Sequence, residues 1–381
     1  MNSKLDIPDA LTTVVPMKGA TISLILATLA STARLAHAQY TAYDLGTFGG
    51  SYSGAYGINS SGTIVGEAYI SGDGESHAFS YSRGVMTDLG TLSGSSSPMN
   101  CYAYGINSSG TIVGWADTSG VDAGHAFSYR GGVMTDLGTL GGTHSFAFGI
   151  NSSGTIVGQA YTSGNAAGHA FSYSGGVMTD LGTLVGDKAS QAFGINSSGT
   201  IVGQSSFFDG GPGHAFSYSG GVMTDIGTLG GWYSFAYGIN SSGTIVGWAD
   251  TSGDGPGHAF SYSGGVMTDI GTLGGSDSQA FGINSSGTIV GAAYTSGNAA
   301  YHAFSYSGGV MTDLEPYLAS IGMTGVGSTG GINDNGDIVG SRYVANGDQH
   351  AFLLVVPEPS SLALLALGGV ALLLRKRRGL E

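Results

Sequence analysis

His77-Ala78-Phe79-Ser80-Tyr81-Ser82-Arg83-Gly84-Val85-Met86-Thr87-Asp88-Leu89-Gly90-Thr91-Leu92 returns, nearly letter for letter, down the length of the 381-residue chain. Its His-Ala-Phe triplet begins at His77, His125, His169, His214, His258, His302 and His350, in steps of 48, 44, 45, 44, 44 and 48 residues. A second marker, Gly-Ile-Asn, begins at Gly57, Gly105, Gly149, Gly194, Gly238, Gly282 and Gly331, roughly twenty residues ahead of each triplet. Self-similarity at this period indicates one repeat array, not the two or three domains that length alone suggests.

Each repeat reads as four short strands. Ala55 to Asn59 and Thr63 to Ala68 flank Ser60-Ser61-Gly62, and His77 to Tyr81 and Val85 to Leu92 flank Ser82-Arg83-Gly84. β-Rich runs around Asn/Ser/Gly clusters are hairpins, and no window carries the 3.6-residue apolar spacing of a helix. Because strand side chains alternate, His77, Phe79 and Tyr81 share one face and the small Ala78, Ser80 and Ser82 the other. A large face can fill the space left by a neighbour's small one if the sheets stack. Small residues in the first strand (Ala55, Gly57; Ala147, Gly149; Ala236, Gly238) suit a crowded position near an axis.

The expected fold is all-β: a seven-bladed β-propeller of four-stranded antiparallel blades, with a parallel β-solenoid as the alternative. The two ends of the array separate the alternatives. Tyr43-Asp44-Leu45-Gly46-Thr47 is a fourth-strand motif with no repeat before it, and His350 to Val355 is a third strand with no fourth after it. A ring closed by the N-terminal strand would complete the last blade and remove the open edge. The repeat Gly-Ile-Asn-x-x-Gly-x-Ile-Val-Gly, then His-Ala-Phe and Thr-Asp-Leu-Gly-Thr-Leu-Gly-Gly, resembles the HAF family of extracellular bacterial repeat proteins over residues 40 to 355. The resemblance implies secretion and repetition and names no substrate.

Residues 39–355 carry Arg83, Arg130, Lys188 and Arg342 against 21 acidic residues, a net of −17, which argues against nucleic acid as a partner. A single cysteine, Cys101, excludes an intramolecular disulfide framework. Compartment is legible at the termini. Residues 1–38 read as a signal peptide: Lys18, an apolar run Ile22 to Leu29, and Ala36-His37-Ala38 as the cleavage site. Asp6 and Asp9 suit a basic n-region poorly, which favours Met17 as the start.

At the other end, residues 356–381 hold Pro357-Glu358-Pro359, an apolar run Leu362 to Leu374, and Arg375-Lys376-Arg377-Arg378. The thirteen-residue run is a borderline transmembrane helix, and the basic cluster after it holds that end in the cytoplasm. The three parts in this order resemble the PEP-CTERM sorting signal of Gram-negative bacteria. That resemblance implies processing by an exosortase and release to the cell surface or the extracellular polysaccharide, with membrane contact only before processing.

The histidines at His77, His125, His169, His214, His258 and His302 each have an aspartate eleven residues on, at Asp88, Asp136, Asp180, Asp225, Asp269 and Asp313. A pair present in every repeat is spread around the array, whereas a catalytic site needs one asymmetric constellation, so these pairs are read as structural. The Asn-Ser-Ser sequon at Asn59 is demanded by the turn, and Asp334-Asn335-Gly336-Asp337 lacks the alternating ligands of a calcium loop. No nucleophile elbow, metal cluster or phosphate loop appears, and no cofactor is implied.

Connections inside the hairpins barely change, while those between second and third strands and between repeats vary in length and chemistry. The candidate ligand-binding residues on that variable face are Trp115, Phe207, Phe208, Trp232, Tyr233 and Trp248, with Tyr69, Tyr161, Tyr294, Tyr343 and Lys188 nearby. Aromatic rings beside Asp117, Asp209 and Asp250 suit sugars, whose apolar faces stack while their hydroxyls bond carboxylates. The expected function is a secreted, non-catalytic surface or matrix protein binding polysaccharide or another surface component. A glycan-acting enzyme and a purely structural or adhesive matrix protein are the alternatives.

Overall fold

The computed structural model describes residues 40–92, 100–118, 123–165, 167–207, 213–252 and 255–356. The signal peptide and the C-terminal apolar and sorting residues from Pro357 onward lie outside them. Among the described residues no helix is long and apolar enough to cross a membrane.

The architecture is all-β, built of four-stranded antiparallel sheets. In the first repeat Gly49–Ile58, Ile64–Ile70, Ser76–Ser82 and Val85–Asp88 pair in order. Equivalent first strands are Cys101–Ile106, Gly141–Ile150, Ala189–Ile195, Ser234–Ile239, Gly274–Ile283 and Thr324–Ile332. The last repeat supplies only Thr324–Ile332, Ile338–Tyr343 and Gln349–Val355 from its own stretch of chain. Its fourth strand is Thr41–Asp44, paired antiparallel with Thr41 opposite Val355 and Asp44 opposite Phe352.

No sheet buries its phenylalanine by itself. Phe127 packs on Val65, Ala78 and Leu89 of the repeat before it, and Phe171 on Val113, Ala126 and Leu137. The same seam recurs at Phe216, Phe260, Phe304 and Phe352. Phe79 of the first repeat packs on Val339 and Ala351 of the last, with Leu45 of the N-terminal strand in the place of the leucine. Large face meets small face at every one of these seams, and each fully buried Phe is worth about 1.5–3 kcal/mol.

Nearer the inner edge the first strands touch backbone to backbone. A Cβ on Gly149 would sit 2.9 Å from the Phe193 carbonyl oxygen, and one on Gly57 3.1 Å from that of Tyr104, so a larger residue would force the repeats apart. Beyond these glycines each turn is organised by an asparagine. The Asn196 Oδ1 accepts the N–H groups of Ser198 at 3.1 Å and Thr200 at 2.9 Å, which shapes the turn. Its Nδ2 donates to the Asn240 carbonyl at 3.2 Å. The donations run Asn59, Asn107, Asn151, Asn196, Asn240, Asn284 and Asn333, and Asn333 donates at 3.2 Å to the carbonyl of Asn59.

The last repeat departs from the rest. After Leu314 a short helix, Glu315–Ala319, replaces the Gly-Thr-Leu linker, and its Tyr317 packs edge-on against Tyr40 at 5.4 Å. Glu315 pairs with Arg342, a fully buried guanidinium standing where other second strands carry alanine or serine. Burial lowers the Arg342 pKa and Glu315 opposes that shift. The absence of helical periodicity in the sequence concealed this five-residue element, which is too short to register as a pattern.

Asn196→Ala removes four hydrogen bonds at the inner edge and is expected to cost about 2–4 kcal/mol in urea denaturation. The neighbouring Ser197→Ala should stay within about 0.5 kcal/mol of the parent; equal effects would show that the asparagine bonds add nothing.

Candidate functional site

Strand direction sorts the connections onto two sides. The turns 59–63 and 82–84, and their counterparts, fall on one side; the connections 71–75 and 89–92, and theirs, fall on the other. The first side is uniform among the repeats and the second is where they differ. Tyr40 and Val356 both lie on the uniform side, because the strands they flank begin and end there. A Cβ on Gly336, in the turn of the last repeat, would lie 3.0 Å from Val356.

The histidines occupy an outer hairpin. Nδ1 lies 2.7 Å from its aspartate at His77, His214 and His258, 2.8 Å at His125 and His302, and 2.9 Å at His169. The second carboxylate oxygen accepts a backbone N–H two residues on, as from Gly90 at 2.8 Å. The aspartate thus ties the histidine to the start of the next connection. His350 makes a seventh pair, with Asp44 at 2.9 Å across the junction of the two ends. The Tyr-Asp-Leu-Gly-Thr match at residues 43–47 was the signal for that partner. At His77, burial acts to lower the pKa, but Asp88 and Glu75 outweigh it and hold the imidazole above its ordinary value.

Trp115 and Trp248 lie in the second strands Ile112–Asp117 and Ile245–Asp250. Trp115 lies between Tyr102 at 5.3 Å and Phe146 at 5.7 Å, both nearly parallel to it, so its two faces are covered. Trp248 contacts Phe235 at 5.8 Å and points its Nε1 at Asp277 at 3.5 Å. Each tryptophan lies over a glycine: a Cβ on Gly124 would sit 2.3 Å from Trp115, and one on Gly257 2.0 Å from Trp248. Position for position the other second strands carry Glu67, Gln159, Gln204, Ala292 and Ser341. Where that residue is small, the one before the histidine is large: Tyr301 accompanies Ala292, and Gln349 donates to the Ser341 Oγ at 2.7 Å. Volume is conserved across the pair, as a close-packed seam requires.

Glu67 is the one carboxylate at this position, and sequence reasoning passed over it. It is 7% exposed, accepts hydrogen bonds from the Tyr56 hydroxyl and from the Ser76 Oγ at 2.5 Å, and the Tyr52 and Tyr56 hydroxyls lie 3.2 Å apart. Burial raises its pKa, partly offset by the bonds from Ser76 and Tyr56. Burial, with the Glu67 charge adding to it, also pushes the nearby Tyr102 phenol up to about 12. The signal available was comparative: Trp, Gln, Ala or Ser occupies the place in every other repeat. Cys101 is buried and its thiol is likewise pushed up to about 12 by desolvation, which leaves it unreactive.

The remaining candidates form a sector. Trp232 is 61% exposed and Phe207 55%, and Val185 is fully exposed, all on connections of the fourth and fifth repeats on the variable side. The Lys188 Nζ lies 5.1 Å from the centre of the Phe207 ring. Tyr233 is half-buried and Asp250 is buried; Phe208 and Asp209 lie outside the described residues. Tyr69, Tyr161 and Tyr294 belong to other repeats, Tyr69 packing on Tyr52 at 5.2 Å and Tyr294 on Tyr301 at 4.8 Å. The exposed valines of the fourth strands, such as Val85 and Val133, occur singly, once in each of the first six repeats.

On the uniform side a cavity of about 290 Å³ is lined by Ile58, Asn59, Ser60 and their counterparts, ending in Ile332, Asn333 and Asp334. Asp334 accepts the Ser285 N–H at 2.9 Å and Asp337 accepts from the Asn333 Nδ2 at 3.0 Å, so both carboxylates bond within the turns. Among the described residues no three His, Cys, Asp or Glu side chains converge as metal ligands.

The PEP-CTERM protein-sorting motif matches residues 355–378. It is a signal recognised by exosortase and indicates export to the cell surface or extracellular space of Gram-negative bacteria. No curated protein matches the chain. Among solved structures it is similar to TolB from Acinetobacter baumannii, at 11% identity and a TM-score of 0.42, over 65% of this chain and 64% of TolB. The chain therefore spans less than two thirds of TolB. It is also similar to the PQQ-bound aldose sugar dehydrogenase of Streptomyces coelicolor, at 12% identity and a TM-score of 0.40, over 84% of this chain and 98% of that one. A third is the Trypanosoma rangeli sialidase, at 10% identity and a TM-score of 0.36, over 72% and 55%. None of these likenesses transfers a substrate or a residue role.

Two outcomes are expected. With its folded pKa raised, Glu67 contributes stability that is full below the unfolded value of about 4.3 and is lost as pH rises through the folded value. Thermal denaturation should therefore show Glu67→Gln gaining on the parent as pH rises above about 4; a pH-independent difference would contradict the buried acid. Ala292→Trp should clash with Tyr301 and cost about 1–3 kcal/mol, and adding Tyr301→Gly should recover most of it.

Proposed function

We propose that the chain is a secreted, closed seven-bladed β-propeller of HAF-type repeats, displayed at the cell surface or in the extracellular matrix, that binds polysaccharide or another surface component without catalysis. Support for closure comes from the N-terminal strand completing the last sheet, from the seam of Phe79 on Val339 and Ala351, and from the asparagine bonds that return to Asn59. Support for display comes from the sorting motif.

The observation that carries the binding reading is the sidedness of the array. The hairpin turns of one side barely change among the repeats, while the connections of the other side vary in length and chemistry. On that side Phe207 and Trp232 expose their rings. Aromatic surface of this kind suits pyranose faces, and the sorting motif indicates the cell surface or extracellular space as the setting. Glu67 and Asp277 are carboxylates without counterparts in the other repeats, yet Glu67 is bonded to Tyr56 and Ser76 and Asp277 to Trp248 and the Gly257 N–H within the packed strands of separate repeats. Glycoside hydrolysis ordinarily employs a flanking pair of carboxylates, which favours the non-catalytic reading.

Glycan arrays and polysaccharide pull-downs with the full chain test this directly. Trp232→Ala is expected to lower binding about tenfold or more, as for an exposed aromatic anchor, and Ser152→Ala on the uniform side to leave it unchanged. Absence of binding to every glycan presented would leave the purely structural role in its place.

A further inference from the structure

Charge singles out one sector of the variable side. Of the four Lys and Arg residues in residues 39–355, Arg83 and Arg130 lie at the hairpin turns of the uniform side, and Arg342 is buried against Glu315. Lys188 is the remaining one. It is exposed, on the variable side, in an array that carries 21 acidic residues. Among the described residues no carboxylate lies within ion-pair distance of its ammonium, which is held instead over the Phe207 ring at 5.1 Å.

Backbone bonds carry this cation toward Trp232. The Lys188 N–H donates to the Ser206 carbonyl at 3.0 Å, and Ser206 is paired with Gly213. Two residues further along that strand, the Ala215 N–H donates to the Ser234 Oγ at 2.8 Å, which sets Trp232 of the next repeat level with Gly213. With neighbouring strands about 4.8 Å apart, these three lateral steps place Lys188 and Trp232 within about 15 Å of one another. That is within reach of a short run of an extended sugar chain.

We propose, building on the polysaccharide reading above, that this sector binds a carboxylated glycan, with a uronate carboxylate on Lys188 and the face of another sugar unit on Trp232. The acidic remainder of the array does not forbid an acidic ligand. Charges beyond about 8 Å are largely screened at physiological ionic strength, and Lys188, with Asp187 beside it in the chain, is the one lysine of residues 39–355 and is exposed on the variable side. The cation–π contact with Phe207 pre-orients the Lys188 stem and leaves its donors available. Because the pair is exposed, its effect is selectivity and not bulk affinity: an exposed ion pair corresponds to a preference of about two- to fivefold.

The test uses the full chain and matched oligosaccharides: pentamers of galacturonan, glucuronan and mannuronan, each beside its carboxyl-reduced neutral counterpart, measured by titration calorimetry at 0.15 and 0.5 M salt. The parent is expected to prefer at least one uronide over its reduced form by about two- to fivefold, less at high salt. Lys188→Gln should erase that preference and leave the neutral affinity in place, Lys188→Arg should keep it, and Trp232→Ala should weaken both members of the pair. Equal binding of both members by the parent, or a preference that survives Lys188→Gln, overturns the charge assignment while the polysaccharide reading stands. Failure of the folded parent to bind any of the six overturns this proposal, and the wider glycan panel then decides the broader reading separately.

Discussion

A phenylalanine that cannot be covered by its own sheet is the constraint on which the rest depends. Phe127 needs Val65, Ala78 and Leu89 from the repeat before it, and the later phenylalanines meet the equivalent valine, alanine and leucine or isoleucine. The sheets must therefore stack face to face, and the first must find a partner too. Val339, Ala351 and the N-terminal Leu45 provide it. Truncating such a phenylalanine to alanine typically costs 3–5 kcal/mol, so an uncovered seam at the junction would be a heavy loss.

Stacking in turn explains why so much of each repeat barely changes. The glycines of the first strands let backbones meet, the asparagines join one turn to the next, and the His–Asp pairs pin the outer hairpins. All of these are answered by a neighbouring strand or a neighbouring repeat. The connections on the opposite side bond through pairs that differ among the repeats, such as Asp73 with Ser51 and Asn100 with Ser76 and Asp117, and there the repeats diverge. Chemical individuality accumulates in Val185, Lys188, Phe207 and Trp232 because nothing in the stacking forbids it.

Much of the fold was legible in the letters, and particular residues show why. The alternation at His77-Ala78-Phe79 requires a large and a small face, and the incomplete motifs at Asp44 and His350 complement one another. Less of the candidate site was legible. Trp115 and Trp248 read as aromatics near the ends of second strands, and the register places them over Gly124 and Gly257. Glu67 is inconspicuous in a chain with few charges, and its character arises from Tyr56 and Ser76, eleven and nine residues away and on other strands. Arg342 and the helix Glu315–Ala319 are local departures that a period of 44 to 48 residues averages away.

The sequence by itself determined the repeat, its strands and the pairing of large with small faces, because periodicity, turn chemistry and side-chain alternation are properties of the chain read along its length. Only the tertiary structure decided which aromatics are spent on packing and which meet solvent. It also decided that Lys188 lies over Phe207 while Arg342 is buried against Glu315. The reason is physical: burial and charge pairing depend on which repeat lies against which, and that proximity is set by the stacking of sheets.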